Sequence, residues 1–436
     1  MAAVGGSRSV ALLALTAAAV LGAAGLAWLG YLAAPADGLD FRVYLLGGQS
    51  VIDARGELYT RSIPNGENPP LMFTYPPFAA LLFALLAPFG DSLGFLLFRI
   101  LSYLLTFLAA VWLTGWFAGR RSALQVLAHP WLRPVAVFGF GLLAALGPWR
   151  ETIAFGQINI LLFLLILGDN LSPRPGRPTG LLTGIAAGIK LTPLVFGLYY
   201  LLRGDWRGLR NMAVGFLATF ALGFLVLPRE SRTYWGELLP ETERIGGPGY
   251  VDNLSLRGAI AHIAGPDFPG TGVWLVLAAA ALAAVAVLIR RADLAGRPMT
   301  ALSATALLML LVSPVSWSHH WVWVALLGAV LLRDLADLPA GHRRLRGTGA
   351  ALLAAGAVIF YLSPKKTALL LGAQDLDAQE PQLWLIAASL GVFWGVAVLA
   401  WLLCAYQRRR RWNRRAVYLP AAAVEGPRPG VRESRS

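Results

Sequence analysis

Long apolar blocks separated by short polar runs organise this chain. They lie near residues 10–33, 95–118, 134–148, 157–169, 179–202, 209–228, 272–290, 299–313, 319–333, 348–362 and 384–406, with a shorter one at 77–89. A bilayer-crossing helix takes about 20 apolar residues. The pattern therefore predicts an all-α polytopic membrane protein with about 10–12 transmembrane helices. Several blocks fall short of a full span. Short or broken helices are tolerated where they line a protein cavity instead of lipid, so the pattern also predicts an internal site.

Composition strengthens this reading. Of 436 residues, 57% are hydrophobic and 14% charged, whereas soluble domains carry about 25% charged residues. The net charge of +14 would suggest nucleic acid in a soluble chain. Here the basic residues sit at block ends, which reads as topology and contact with anionic lipid head groups. Cys404 is the single cysteine and neither CxxC nor HExxH occurs, so an internal disulfide is excluded and no metal site or cofactor is expected. Arg8 and the run Val10 to Leu32 resemble a signal peptide, with Ala33, Ala34 and Ala36 imitating a cleavage site. The run is long for a signal core, so a retained first helix is expected.

Arginines orient the blocks. Arg408, Arg409, Arg410, Arg411, Arg414 and Arg415 follow the last block and place the C-terminus in the cytoplasm. The loops with Arg343, Arg344 and Arg346, with Arg290, Arg291 and Arg297, and with Arg203, Arg207 and Arg210 also fall inside. In the front half, Arg120, Arg121, Arg133, Arg174 and Arg177 are inside if 77–89 only dips into the bilayer and 179–202 is broken near Thr192-Pro193. That arrangement is preferred, with both termini inside. Residues 34–76 form a first outer loop, 229–271 a second large one, and 314–320 and 363–383 shorter ones. Residues 1–406 then read as one transmembrane domain, and 407–436 as a basic, disordered cytoplasmic tail.

The first outer loop carries a potentially amphipathic stretch, Leu39 to Ala54, and then the turn-rich run Phe73-Thr74-Tyr75-Pro76-Pro77. Asp40, in Asp40-Phe41-Arg42-Val43-Tyr44, is a candidate general base, since partial burial raises a carboxylate's pKa toward a useful value. It is equally readable as a helix N-cap. Arg150 and Glu151 lie between two apolar blocks, at a depth where ionisable groups are costly; the plainer reading is a solvated Arg–Glu pair. Lys190, in Gly188-Ile189-Lys190-Leu191-Thr192-Pro193, sits in an otherwise uncharged stretch. A buried ammonium needs a partner, for which an anionic ligand is suited, whereas a snorkelling lysine would need none. His319 and His320 stand between Trp317 and Trp321, which fits metal, phosphate contact, proton transfer, or merely an interfacial aromatic belt; a metal site would need further ligands, and none stands at helical spacing. Asn253, Ser255 and Arg257 offer hydrogen bonds suited to sugar or phosphate, or else mark an ordinary capped helix.

The ordered set resembles glycosyltransferase family 87 of the GT-C superfamily, which includes actinobacterial polyprenyl-phosphate-mannose-dependent α-(1→2)-mannosyltransferases. The matching pieces are Asp40 to Tyr44, Leu58-Tyr59, Phe73 to Pro77, Gly156-Gln157-Ile158-Asn159, Lys190-Leu191-Thr192-Pro193, Asn253-Leu254-Ser255, and Ser313-Pro314 through His319-His320. The resemblance implies a GT-C-type bundle around an extracytoplasmic cavity in a bacterial plasma membrane. It implies inverting transfer of mannose from polyprenyl-phosphate-mannose to a glycolipid acceptor of phosphatidylinositol mannoside or lipomannan type. It makes Asp40 the catalytic base, Lys190, His319, His320 and Arg257 the donor-phosphate group, and Tyr44, Tyr75, Arg150, Glu151, Gln157, Asn159, Asn253 and Ser255 substrate-binding residues. Alternatives are an arabinofuranosyltransferase with a decaprenyl-phosphate donor, or a transporter or flippase for lipid-linked sugar; broken helices and a buried lysine suit transport too.

Overall fold

In the computed structural model, residues 2–33, 37–53, 57–65, 68–120, 122–171, 178–241, 246–265, 268–373 and 384–417 are described, with side chains at 2–11, 13, 31, 33, 65, 68, 69 and 408–417 excepted. The first half runs α1 (Ala2–Ala33), α2 (Leu39–Asp53), the hairpin β1 (Ser62–Asn65) and β2 (Asn68–Met72), α3 (Pro77–Phe83), α4 (Gly90–Phe117), α5 (Ala123–Ala128), α6 (Leu132–Ala145), α7 (Gly147–Phe155), α8 (Asn159–Asn170), α9 (Leu181–Ile189) and α10 (Phe196–Arg203). The second half runs α11 (Trp206–Val226), α12 (Pro228–Thr233), α13 (Leu256–Ala264), α14 (Thr271–Leu294), α15 (Pro298–Val312), α16 (Val324–Ala336), α17 (Arg343–Leu362), α18 (Pro364–Leu370), α19 (Leu385–Ala388) and α20 (Leu390–Val417).

The chain is a multi-pass, predominantly helical membrane protein, in which long apolar helices stand beside shorter and broken ones, as expected. Among the described residues, five helices are long and apolar enough to cross a bilayer, or six if α6 and α7, bent by 72°, make one broken span. Helices α8 (Asn159–Asn170) and α15 (Pro298–Val312) are apolar but shorter, and Ala14–Gly30 is an apolar stretch within α1. Helix α15 shows why short helices suffice. It is apolar on every side and buried along almost its whole length, so protein, not lipid, surrounds it. By contrast, α11 and α14 expose Val214, Leu217, Leu225, Leu275 and Val276, a surface suited to acyl chains.

Block 77–89 supplies only α3 and a single 3₁₀ turn, Ala87–Phe89, too short to span. Block 179–202 is broken as expected. Helix α9 stops at Lys190, whose backbone is extended (φ −145°, ψ 131°), and a 3₁₀ turn, Thr192–Val195, leads into α10. Small residues hold this break against α11. A Cβ on Gly184 would lie 2.1 Å from the Met212 carbonyl oxygen, so only glycine lets the two backbones approach so closely. Two expectations change. Trp149 to Thr152 is helical, in α7, instead of a loop. The tail does not begin disordered, because α20 continues to Val417; its remainder, 418–436, and residues Arg121, Arg174 and Arg177 lie outside the described residues.

Candidate functional site

Helix α2 opens at Leu39, directly after Gly38, whose φ is positive (65°). Asp37, not Asp40, caps this helix: its Oδ1 accepts from the Leu39 N–H at 3.0 Å. The Asp40 carboxyl is thereby free to face inward. Gln157 donates a hydrogen bond to it, and protein surrounds it while part of its surface stays open. Burial raises its pKa from 3.8 to about 6, although the Gln157 bond and the charge of Lys190 pull it back. A carboxyl titrating there suits general-base work near neutral pH.

Gln157 is itself fixed. Its Oε1 accepts from the Tyr44 hydroxyl at 2.7 Å and the Tyr75 hydroxyl at 3.3 Å, and the two hydroxyls are 2.9 Å apart. Tyr44 is fully buried, stacked on Phe83 with ring centroids 4.1 Å apart. Tyr44 and Gln157, expected from the sequence to bind substrate, spend these bonds on one another, and Gln157 holds the Asp40 carboxyl. Tyr75 keeps a second role, with its ring 5.4 Å from the Lys190 ammonium.

The end of α9 aims Lys190 inward. Its Nζ donates to Asn159 Oδ1 at 3.2 Å and meets His320 Nε2 at 2.9 Å, which rules out snorkelling. These partners sit at the polar end of a cavity of about 410 Å³, counting space open to solvent. Ser313 and Ser316 line that end, while Leu162, Ile166, Pro193, Met309, Leu310 and Trp323 line the rest. Asp40 is outside this lining but close enough for its charge to act on Lys190.

The strap Ser318-His319-His320 crosses between α15 and α16 and is pinned from below. Asn159 Nδ2 and Thr152 Oγ1 donate to the His319 carbonyl at 3.0 and 3.2 Å. Ser318 donates its hydroxyl to Glu151 and its N–H to Asp252. Burial and the nearby Lys190 charge push both imidazoles well below the usual histidine range. The neutral imidazole is thus favoured at both positions. His320 accepts from Lys190, and His319, 5% exposed, has both ring nitrogens buried without a partner. Such a group is stable only if something supplies the missing hydrogen bonds.

The other candidates lie as follows. Asn253 is fully buried, bonding to the Pro248 and Pro314 carbonyls and the Ser316 N–H. Ser255 caps α13 through the Gly258 N–H and reaches the Pro314 carbonyl. Both stitch the loop before α13 to residues 314–316, which lead into the strap, and these hydrogen bonds serve the fold. Arg257 lies over the Trp274 ring at 5.9 Å and is not among the residues that line the cavity at Lys190. Arg150 and Glu151 are buried, not solvated, and do not pair. Arg150 Nη1 donates to the Ala145 and Tyr361 carbonyls at 2.9 and 2.6 Å, while Glu151 accepts from Ser318 and from Ser363, the latter at 3.0 Å.

Sequence reasoning missed Ser318, Ser363, Lys365 and Lys366. A signal for the last two existed: lysine occurs at only three positions, 190, 365 and 366. Among the described residues, no three of His, Cys, Asp or Glu converge as a metal ion requires.

The sequence was compared with known proteins. The model of glycosyltransferase family 87 matches residues 73–314. A Mycobacterium tuberculosis protein, polyprenol-phosphate-mannose-dependent alpha-(1-2)-phosphatidylinositol mannoside mannosyltransferase, is 36% identical over 339 residues, covering 75% of this chain and 76% of the relative. In Mycolicibacterium smegmatis, a polyprenol-phosphate-mannose-dependent alpha-(1-2)-phosphatidylinositol pentamannoside mannosyltransferase is 35% identical over 333 residues, 73% of this chain and 75% of the relative. Among solved structures, ArnT from Cupriavidus metallidurans bound to undecaprenyl phosphate shares 16% identity at TM-score 0.40, covering 94% of this chain and 79% of that one.

Proposed function

The chain belongs to glycosyltransferase family 87, and from that premise we propose that it is a membrane mannosyltransferase. It transfers mannose from polyprenyl-phosphate-mannose to a phosphatidylinositol mannoside, forming an α-(1→2) bond with inversion at the extracytoplasmic face. The curated relatives' names support donor, linkage and acceptor class. One feature supports the chemistry: the Asp40 carboxyl, its pKa raised by burial, and the buried Lys190 ammonium, distant in sequence, act on one another, and Lys190 lines the cavity.

Asp40 accepts the proton of the acceptor hydroxyl as that oxygen attacks the anomeric carbon. The bond from anomeric carbon to phosphate oxygen breaks, and its electron pair leaves on the polyprenyl phosphate. Lys190 meets that charge, and positioned cations act strongly where water is excluded. Neutral His319 and His320 contribute hydrogen bonds to sugar or phosphate oxygens. The apolar remainder of the cavity suits a lipid-borne donor arriving sideways from the bilayer.

The decisive experiment uses purified protein, labelled polyprenyl-phosphate-mannose and a panel of phosphatidylinositol mannosides, followed by linkage analysis. A new α-(1→2) mannose is expected. Labelled donor crossing a proteoliposome with no new glycosidic bond would favour a flippase, and arabinose transfer alone would reassign the donor.

Gln157→Leu tests how the base is set. Losing the hydrogen bond removes an influence that lowers the Asp40 pKa. The acidic limb of the kcat/KM profile, expected near pH 6 in the parent protein, moves to higher pH. A limb that stays in place takes Gln157 out of this role.

A further inference from the structure

We propose that Lys366, with Arg150 beneath it and Lys365 beside it, forms a second anion site that holds the phosphodiester of the glycolipid acceptor. This deepens the reading above and rests on it.

The three lysines of the chain divide between two places. Lys190 serves the cavity, whereas Lys365 and Lys366 follow the end of α17, itself a candidate span. The end of a span lies where lipid phosphates lie. At this end the backbone turns at Ser363, the only non-glycine residue with positive φ (67°) among the described residues. The turn is tied down. Ser363 donates to Glu151, and a Cβ on Gly147 would lie 2.8 Å from the Phe360 carbonyl oxygen, so the start of α7 runs directly against it.

The charges gathered there are not balanced. Lys365 pairs with Asp252 at 3.6 Å. Arg150 is 6% exposed, and its Nε is buried without a partner. Lys366 is half-buried and makes no hydrogen bond or ion pair among the described residues. Burial, and next the Arg150 charge, lower its pKa, with Glu151 as partial compensation. Two cations within electrostatic reach of one another, one of them with a buried donor unfilled, are costly unless an anion joins them.

The Ser318-His319 strap separates this corner from Lys190. Glu151 and Asp252 hold Ser318 on the corner's side, and His319 is influenced by both Lys190 and Lys365. Each lysine group then faces one anion: the donor phosphate at Lys190, and the acceptor phosphodiester at Lys366. A molecule with a phosphodiester at one end and a sugar at the other fits this division.

The test compares full-length parent and Lys366→Gln proteins with two acceptors of equal mannose length, a phosphatidylinositol mannoside and a neutral alkyl mannoside. The ratio of KM for the charged acceptor to KM for the neutral one is expected to rise about tenfold, the usual scale for one charge-assisted hydrogen bond. Lys366→Arg restores the ratio. An unchanged ratio overturns the proposal, and so does an equal loss for both acceptors. Titrating dioctanoyl phosphatidylinositol against inorganic phosphate keeps the site testable without turnover. Weaker lipid binding in Lys366→Gln supports the site even if mannosyl transfer fails, and equal binding of the lipid by both proteins refutes it. Phosphate that competes as well as the lipid refutes the lipid assignment.

Discussion

Asparagine in place of Asp40 is expected to leave a folded, membrane-inserted protein whose mannosyl transfer falls by about 10²–10⁴, the usual contribution of a positioned base. The amide matches the carboxyl in shape and accepts the Gln157 bond, but it cannot take a proton. The change does not lower stability near neutral pH. The folded-state pKa of about 6 lies above the ordinary 3.8, so proton uptake favours the folded state. That stabilisation is complete below pH 3.8 and is lost as pH rises through 6; at pH 7.5 the charged carboxylate opposes folding. The thermal midpoint of Asp40→Asn at pH 7.5 should therefore equal or exceed that of the parent protein. Steady-state transfer assays and a thermal melt check both parts. Parent-level activity in this variant would remove Asp40 from the chemistry, and a melt many degrees lower would make it a structural residue instead.

Methionine at Lys190 carries the second large effect. It keeps the unbranched stem and removes the ammonium, so the break at the end of α9, set by backbone and glycine packing, persists. Stabilisation of the leaving phosphate is lost. A fall in kcat of about 10²–10³ is expected, comparable with deleting one donor from an oxyanion site, together with weaker donor binding. The KM for acceptor should change little, because that molecule's charge is assigned to the far side of the histidine strap. Equal losses for donor and acceptor would count against a phosphate contact at Lys190. Restored activity in Lys190→Arg is not expected, because a planar guanidinium does not reproduce the compact geometry shared with Asn159 and His320.

Much of this architecture was legible in residue order because it depends on local pattern. Apolar blocks set off by arginines specify membrane helices whatever their neighbours are. Thr192-Pro193 after an uncharged stretch marked the broken segment, although the break falls earlier, at Lys190. Asp40 and Lys190 stood out because ionisable groups are rare among apolar residues and costly when buried. The roles of Tyr44, Gln157, Asn253 and Ser255 were not legible. A buried tyrosine and a sugar-binding tyrosine look alike in one dimension; only the Phe83 stack and the Gln157 bond distinguish them.

The sequence by itself determined that this is a helical membrane protein, where its long helices lie, and which few charges have to be explained. The tertiary structure decided which of those charges meet. It brought Asp40 within electrostatic reach of Lys190, pushed both strap histidines below the usual histidine range, moved Glu151 from a supposed pair with Arg150 to two serines, and gave Lys366 no hydrogen bond or ion pair among the described residues. The physical reason is that burial and pairing arise between segments distant in the chain. A carboxylate's pKa, an imidazole's charge and a lysine's need for an anion follow from what packs around them, and no short stretch of sequence encodes that.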